Sequence, residues 1–461
     1  MPHLMSEAPI PGALQSPYRL APLIVLGLWA IACTGSPNGG AMDGELVAGA
    51  DMPLGPLPEA GGFLSDGQFR FAVDLHQELV RQSPEQNVVF SPWGAWKSLA
   101  VLRAMGTEAS GDGAAASREL KEASLSRWPY LNGDGAGGAS SAPLDPEVFE
   151  GAYTELQRRV AHSGKHHGQL LDTARLFVDS WERVHADAAD ALLAIFGVES
   201  VSVDFESDPD GAAAQVAAWT GEAPGAARAS SSETVMLLAS KLEFDAAWAV
   251  RFDESLTRDR PFVRLDGSEV SVPMMAFRET PKTRIARIGE PGQANEANLL
   301  RLPYEGAAFE MVVIVPVQVN GLPAVEAWLT PERLTDGILA AAPRKVPIGL
   351  PRLELEALQE LRPALEGLGL TRPFEPDGLD ASRLVAGHEG KRQLTSVLQS
   401  VRVRVDEAGT KASVITKSNM ILASIEMPIV ADRPFLFLIR EGTSGAALLM
   451  GRIIDPSQGG D

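Results

Sequence analysis

The sequence predicts an α+β domain built on largely antiparallel sheets, and three observations carry that prediction. Apolar segments with helical spacing crowd the first part of the chain, and strand-like runs dominate the last. No regular βα alternation joins them, and no internal repeat is present, which disfavours a parallel α/β architecture. At 461 residues, 45% hydrophobic and 22% charged, the chain suits one large or two medium globular domains. Its net charge of −20 argues against a nucleic-acid partner, because phosphate is repelled at long range.

The elements follow in order. Arg19 precedes "LAPLIVLGLWAIAC", an apolar run of about fourteen residues, short for a membrane span and right for a signal peptide. The run ends at Cys33, the single cysteine, so no internal disulfide is available. Residues 1–33 are therefore read as a signal peptide. A cysteine after "AIA" resembles a bacterial lipoprotein site, with Cys33 as the lipidated residue, although Ala30 stands where Leu is usual. The chain is expected to be exported and held at a membrane through a lipid on Cys33, in the periplasm or at the cell surface, or otherwise secreted. The Gly/Pro-rich stretch 34–64 reads as a flexible tether. The folded domain is placed at 65–458.

Within that domain, Phe69, Val73, Leu79 and Val80 fall at helical spacing behind an expected cap at Asp66. "NVVFSP" is a short buried strand ended by Pro92, and "WKSLAVLRAM" is an apolar helix. The low-complexity segment 131–146 reads as a surface insertion. It holds a Gly133-x-Gly135-x-x-Gly138 pattern, but no strand precedes it, so a phosphate-binding reading has no support. "ETVMLLASKLEF" and "FEMVVIVP" are buried strands, and "GSEVSVPMM", opening at Asp266-Gly267, is a hairpin arm. "ALQELRPALEGLGL" reads as a helix, followed by the strand "LTSVLQSVRVRVDE" and the pair "RPFLFLIRE" and "AALLMGRIIDP".

Catalytic machinery is missing from this pattern. There is no Gly-x-Ser-x-Gly elbow, no His-Glu-x-x-His, no phosphate loop and no cysteine pair. The chain is read as a non-enzyme that needs no cofactor or metal. His162, His166 and His167 lack a companion carboxylate and a fixed ligand spacing. Beside them, Arg158, Arg159 and Lys165 read as a solvated helix end, with polyanion binding as the alternative.

Several segments, in order, resemble the serpin family over essentially all of Ser65 to Pro456. They are "NVVFSPWGAWKSLAVL", "TVMLLASKLEFDAAWAVRFDESLTRDRPF", "SVPMM", "LRLPYEGAAFEMVVIVP", "PRLELEALQELRPALEGLGL", "DRPFLFLIRE" and "MGRIIDP". The resemblance implies three mostly antiparallel sheets, about eight or nine surrounding helices and an exposed reactive-centre loop. It also implies a monomer that inhibits serine proteases.

The loop explains a long span between two strands. The resemblance assigns it to 407–431, between Glu407-Ala408-Gly409-Thr410 and Asp432-Arg433-Pro434-Phe435. Counting the family's loop length from either end places the scissile bond at Ala423–Ser424, with Met420, Ile421 and Leu422 filling neighbouring subsites. A protease serine would attack Ala423, and the freed segment would enter the central sheet as a strand before the acyl-enzyme hydrolyses. Glu407 to Ala423 would span about 55 Å as a strand. Its hinge comprises Glu407, Gly409, Thr410, Ala412, Ser413 and Val414.

The inward face of the inserted strand would be Thr410, Ala412, Val414, Thr416, Ser418, Met420 and Leu422, which carries no charge. Lys411 and Lys417 fall on the other face, and no proline interrupts Gly409–Ala423. Ala423 suits the shallow pocket of an elastase-like or subtilisin-like protease. The alternative is a non-inhibitory serpin, a binding or assembly module whose loop is cut only as a substrate.

Ser91, Ser240, Trp248, Arg352 and Gln399 are assigned to the region where the sheet opens. Gln399 and Ser240 stand where the family has His and Asn, and the pair retains the groups to hydrogen-bond. Glu407 and Arg352 are expected to form an ion pair. Val414 and Ile415 are bulkier than the family's usual small residues after the Thr.

Overall fold

The computed structural model describes residues 59–105, 129–132, 144–167, 169–221, 236–278, 281–376, 378–381, 383–386, 391–409 and 427–458. Cys33, the glycines of 133–138 and the loop residues 410–426 lie outside them. The first helix, Glu59–Gln82, starts earlier than the sequence suggests: residues 59–64 of the expected tether form its first turns. Asp66 consequently lies inside the helix and caps nothing. Tertiary contacts override the poor helix propensity of Gly61 and Gly62. Leu64, Phe71 and Leu75 are fully buried, and the Gln68 amide donates to the Ala447 carbonyl at 2.8 Å and accepts from the Ala447 N–H at 2.9 Å.

Three sheets carry the domain, with two further two-stranded pairs. The seven-stranded sheet runs Val88–Phe90, Ala447–Ile453, Phe435–Glu441, Phe309–Pro316, Ala297–Pro303, Lys282–Ile288 and Ala342–Lys345, every pair antiparallel. Phe309–Pro316 is buried at every position, which is why it reads as a continuous apolar run instead of an alternation. The four-stranded sheet runs Ile429–Val430, Ile348–Pro351, Glu269–Ala276 and Arg258–Val263. Its hairpin turns at Gly267, whose φ of +82° suits glycine.

The five-stranded sheet runs Leu353–Glu360, Leu394–Val405, Met236–Asp245, Gln169–Asp179 and Val198–Val203. Leu394–Val405 alternates as expected, with Val401, Val403 and Val405 buried and Arg402 and Arg404 exposed. Leu353–Glu360 corrects the sequence reading: "ALQE" is strand, paired antiparallel from Leu353↔Val405 to Glu360↔Leu398, and the helix is only Arg362–Gly367. Strand Leu394–Val405 and its neighbour Met236–Asp245 run parallel, forming the seam that matters below.

Helix Pro92–Met105, buried on nearly all sides, packs against strands of both the five- and seven-stranded sheets. On a separate apolar cluster of the five-stranded sheet lies helix Pro209–Thr220, capped by Asp208, which accepts from Gly211 N–H at 3.0 Å. Its Val216 and Ala217 share that cluster with Leu237, Ala239 and Leu398, so the helix covers part of that face of the sheet. The ends of the low-complexity insertion are helical: Leu131 is buried in Pro129–Asn132, and Pro146 begins Pro146–His167. Arg103 ties the two ends together, donating to the Leu131 carbonyl at 3.0 Å and the Leu144 carbonyl at 2.5 Å.

Candidate functional site

Past Val405 the chain turns on itself. Asp406 N–H donates to the Gly409 carbonyl at 2.9 Å and Gly409 N–H returns to the Asp406 carbonyl at 3.3 Å. The turn is seated on residues 246–252 by three further donors. Trp248 N–H reaches the Ala408 carbonyl at 3.0 Å, Phe252 N–H the Glu407 carbonyl at 3.0 Å, and the Trp248 indole the Asp406 carbonyl at 2.9 Å. Trp248 is held in turn by Tyr304, stacked at 4.4 Å between ring centroids and 9° between planes. Gly409 bridges Ala247 with φ of +138°, and a Cβ there would lie 2.3 Å from the Ala246 carbonyl oxygen and 2.4 Å from Ala247 Cα. Only glycine meets both demands.

Glu407 is buried at this seat, and Arg352 grips it with both carboxylate oxygens in play. Nε lies 2.9 Å from Oε1 and 3.0 Å from Oε2, and Nη2 lies 2.7 Å from Oε1. The expected pair is therefore formed, in the bidentate geometry that planar guanidinium favours. Thr257, which nothing in the sequence marked, donates its hydroxyl to the same carboxylate. Burial pushes the Glu407 carboxyl up, but the hydrogen bonds from Arg352 and Thr257 outweigh it, leaving the group below its ordinary 4.5.

Lower on the seam, Gln399 sits opposite Ser240 in register. They do not hydrogen-bond to each other. Both ends of the Gln399 amide turn to Ser91 instead: Oε1 accepts from Ser91 N–H at 2.7 Å, and Nε2 donates to the Ser91 carbonyl at 2.8 Å. Ser240 Oγ is left buried without a hydrogen-bond partner among the described residues. Gly94 makes room for this arrangement, since a Cβ there would come within 3.0 Å of Ser240 Oγ and 3.2 Å of Gln399 Nε2. Ser91, whose Oγ accepts from Gly94 N–H at 3.0 Å, joins the start of helix Pro92–Met105 to the seam.

The chain returns at Met427. Ile429–Val430 pairs parallel to Ile348–Gly349, with Ile429 N–H on the Pro347 carbonyl and Ala431 N–H on the Gly349 carbonyl, both at 2.9 Å. The intervening loop, with Thr410, Ala412, Ser413, Val414, Met420, Ile421, Leu422, Ala423 and Ser424, lies outside the described residues. Of the histidine-flanking cations, Arg159 is buried, and both Arg158 and Arg159 pair with Glu155, while Arg158 and Lys165 face solvent. Among the described residues no cluster of His, Cys, Asp and Glu has the makings of a metal site.

With this geometry in hand, the chain can be set beside known proteins. A family model described as serpin (serine protease inhibitor) matches residues 66–456. Plasminogen activator inhibitor 1 of Bos taurus is 30% identical over 406 residues, covering 84% of this chain and 91% of the relative. Serpin-ZX of Hordeum vulgare is 29% identical over 415 residues, covering 84% and 96%. The crystal structure of native protease nexin-1 with heparin matches at a TM-score of 0.67 and 24% identity, over 86% of this chain and 100% of that one. Serpin48 of the insect Tenebrio molitor matches at a TM-score of 0.68 and 22% identity, over 86% and 99%.

Proposed function

Because the chain belongs to the serpin family, we propose that it traps a serine protease, offering 407–431 as bait and being cut between Ala423 and Ser424. Its family is one of protease inhibitors, and the chain is not an enzyme. The observation that supports the trapping mechanism is the position of the loop's seat. Asp406–Gly409 leaves strand Leu394–Val405 at the end of the parallel seam with Met236–Asp245. A segment folding back from Gly409 into that seam runs antiparallel to both neighbours. One parallel pairing is thereby exchanged for two antiparallel ones, which are slightly more stable per residue. Glu407–Ala423, about 55 Å when extended, exceeds the twelve-residue strand beside it, about 40 Å.

Chemistry comes from the protease. Its serine Oγ attacks the Ala423 carbonyl carbon, the bond to the Ser424 nitrogen breaks, and that nitrogen takes up a proton as it leaves. Insertion then carries the acylated Ala423 the length of the sheet and distorts the enzyme's oxyanion hole before water can deacylate it. The small side chain of Ala423 directs the trap to elastase-like or subtilisin-like enzymes. The apolar run ending at Cys33 supports the further reading that the protein is exported, with Cys33 as its lipid anchor. Among the described residues no helix is long and apolar enough to cross a membrane.

The test is to incubate the full chain with elastase or subtilisin and run a denaturing gel. A covalent band, with a released fragment beginning at Ser424, is expected. Clean cleavage without the band would leave the loop a mere substrate and select the non-inhibitory alternative.

A further inference from the structure

Between the seven- and four-stranded sheets, beside Met427–Val430, opens a cleft of about 450 Å³. Val315, Val317, Val346 and Ile429 supply apolar wall, and Arg287, Arg344 and Arg433 supply cations, with Asn298 beside them. Among the described residues no carboxylate lines it, in a chain whose net charge is −20. The concentration of positive charge follows from strand geometry. Arg287 is an exposed position of Lys282–Ile288, Arg344 lies on the adjacent edge strand Ala342–Lys345, and Arg433 follows the loop's return strand.

Two of the arginines are held by neighbouring protein groups. Arg433 Nε lies 2.8 Å from Asp432 Oδ1 and its Nη1 donates to the Val317 carbonyl at 2.7 Å. Arg287 Nη1 lies 3.5 Å from Glu296 Oε1, with its side chain half exposed. A guanidinium has five N–H donors, so these contacts orient each fork without exhausting it. The volume falls in the range of small-ligand sites, which pair apolar walls with a few convergent polar groups.

We propose that this cleft binds a small amphipathic carboxylate. Its apolar body would lie on Val315, Val346 and Ile429, and its carboxylate would be held by the arginine forks, whose planar geometry matches two oxygens. A neutral apolar ligand would make no use of the remaining guanidinium N–H donors. A compact, highly charged anion would waste the valine wall. The occupant would touch Ile429 and Val430, which pair with Ile348 and Gly349 of the four-stranded sheet over two residues. On the inhibitory reading proposed above, occupancy therefore braces the far end of the reactive loop.

Isothermal titration of the full chain with decanoate, and separately with decanol, tests the assignment. One saturable site for decanoate is expected, with decanol at least about tenfold weaker, the loss that follows from removing charge-assisted hydrogen bonds. Arg287→Gln combined with Arg344→Gln is expected to weaken decanoate about tenfold as well. Absence of saturable decanoate binding, or equal binding of decanol by the unaltered chain, overturns the proposal. So does a folded double variant with undiminished affinity. No protease enters these measurements, so their failure leaves the inhibitory reading untouched.

Discussion

The loop has two feet, and they are built by different means. The near foot, Asp406–Gly409, is fixed by a buried carboxylate in a bidentate grip, a stacked Trp–Tyr pair and a position open only to glycine. The far foot, Met427–Ala431, rests on a two-residue parallel pairing and backbone hydrogen bonds, and its Met427 is 86% exposed. The difference matches what each would do on the proposed mechanism. The near foot is the pivot from which the chain must enter the sheet in one register, so its geometry is over-determined. The far foot has only to hold the loop out, and after cleavage its position no longer matters to the inserted strand.

The largest expected effect comes from breaking the pivot. Gly409→Val places a Cβ against the Ala246 carbonyl and Ala247 Cα, at a φ of +138° that a β-branched residue resists. A loss of about 3 kcal/mol in unfolding free energy is expected. The amide protons of Trp248 and Phe252, which donate to Ala408 and Glu407, should also lose protection from hydrogen exchange. Unchanged stability would show that the seat is a passive contact.

How far the sequence revealed these parts depended on whether the signal was local. Phe309–Pro316 was legible because every residue is apolar, and Val401–Val405 because valine alternates with arginine. The start of the first helix was not, because "EAGGFLS" looks flexible and is tied down by a distant partner, Ser444, whose carbonyl accepts from the Ser65 hydroxyl. "ALQE" was misread as helix since its apolar spacing suits either period, and only pairing with Leu398–Val401 makes it a strand. The Glu407–Arg352 pair was accessible through the family resemblance. Thr257 was not, for a lone threonine carries no spacing. That Gln399 turns to the Ser91 backbone was not legible, because Ser91 is far away in sequence and backbone groups carry no sequence signal.

A smaller effect is expected from the charge pair at the near foot. Arg352→Gln strips the Glu407 carboxylate of its grip, and because the Arg352 side chain is 46% exposed the loss at neutral pH is about 1 kcal/mol. The pH dependence has a definite sign. Glu407 has its folded pKa depressed below 4.5, so its contribution is full above that value and disappears as pH falls through the folded pKa. Urea unfolding of both proteins should show the gap at about pH 7 and its progressive closure as pH falls below the ordinary carboxyl value. A gap of the same size throughout would assign the loss to packing instead of charge.

The smallest effect belongs to the far foot. Gly349 faces Val430 across the parallel pair, and a Cβ there would lie 2.9 Å from Val430 Cγ1 and 3.5 Å from Met274 Cγ. The obstacle is a short side chain on an edge strand and no backbone atom is involved, so the strand can move aside. Gly349→Ala should therefore cost about 1 kcal/mol or less. The change should appear locally, as faster hydrogen exchange at the Ile429 and Ala431 amides, whose acceptors are the Pro347 and Gly349 carbonyls. Exchange at Trp248 and Phe252 should not change, because the two feet share no partner among the described residues and distant sites are additive. Protection lost at both feet together would mean that the loop transmits strain from one to the other. The contrast between a locked pivot and a loose support would then give way to a single coupled unit.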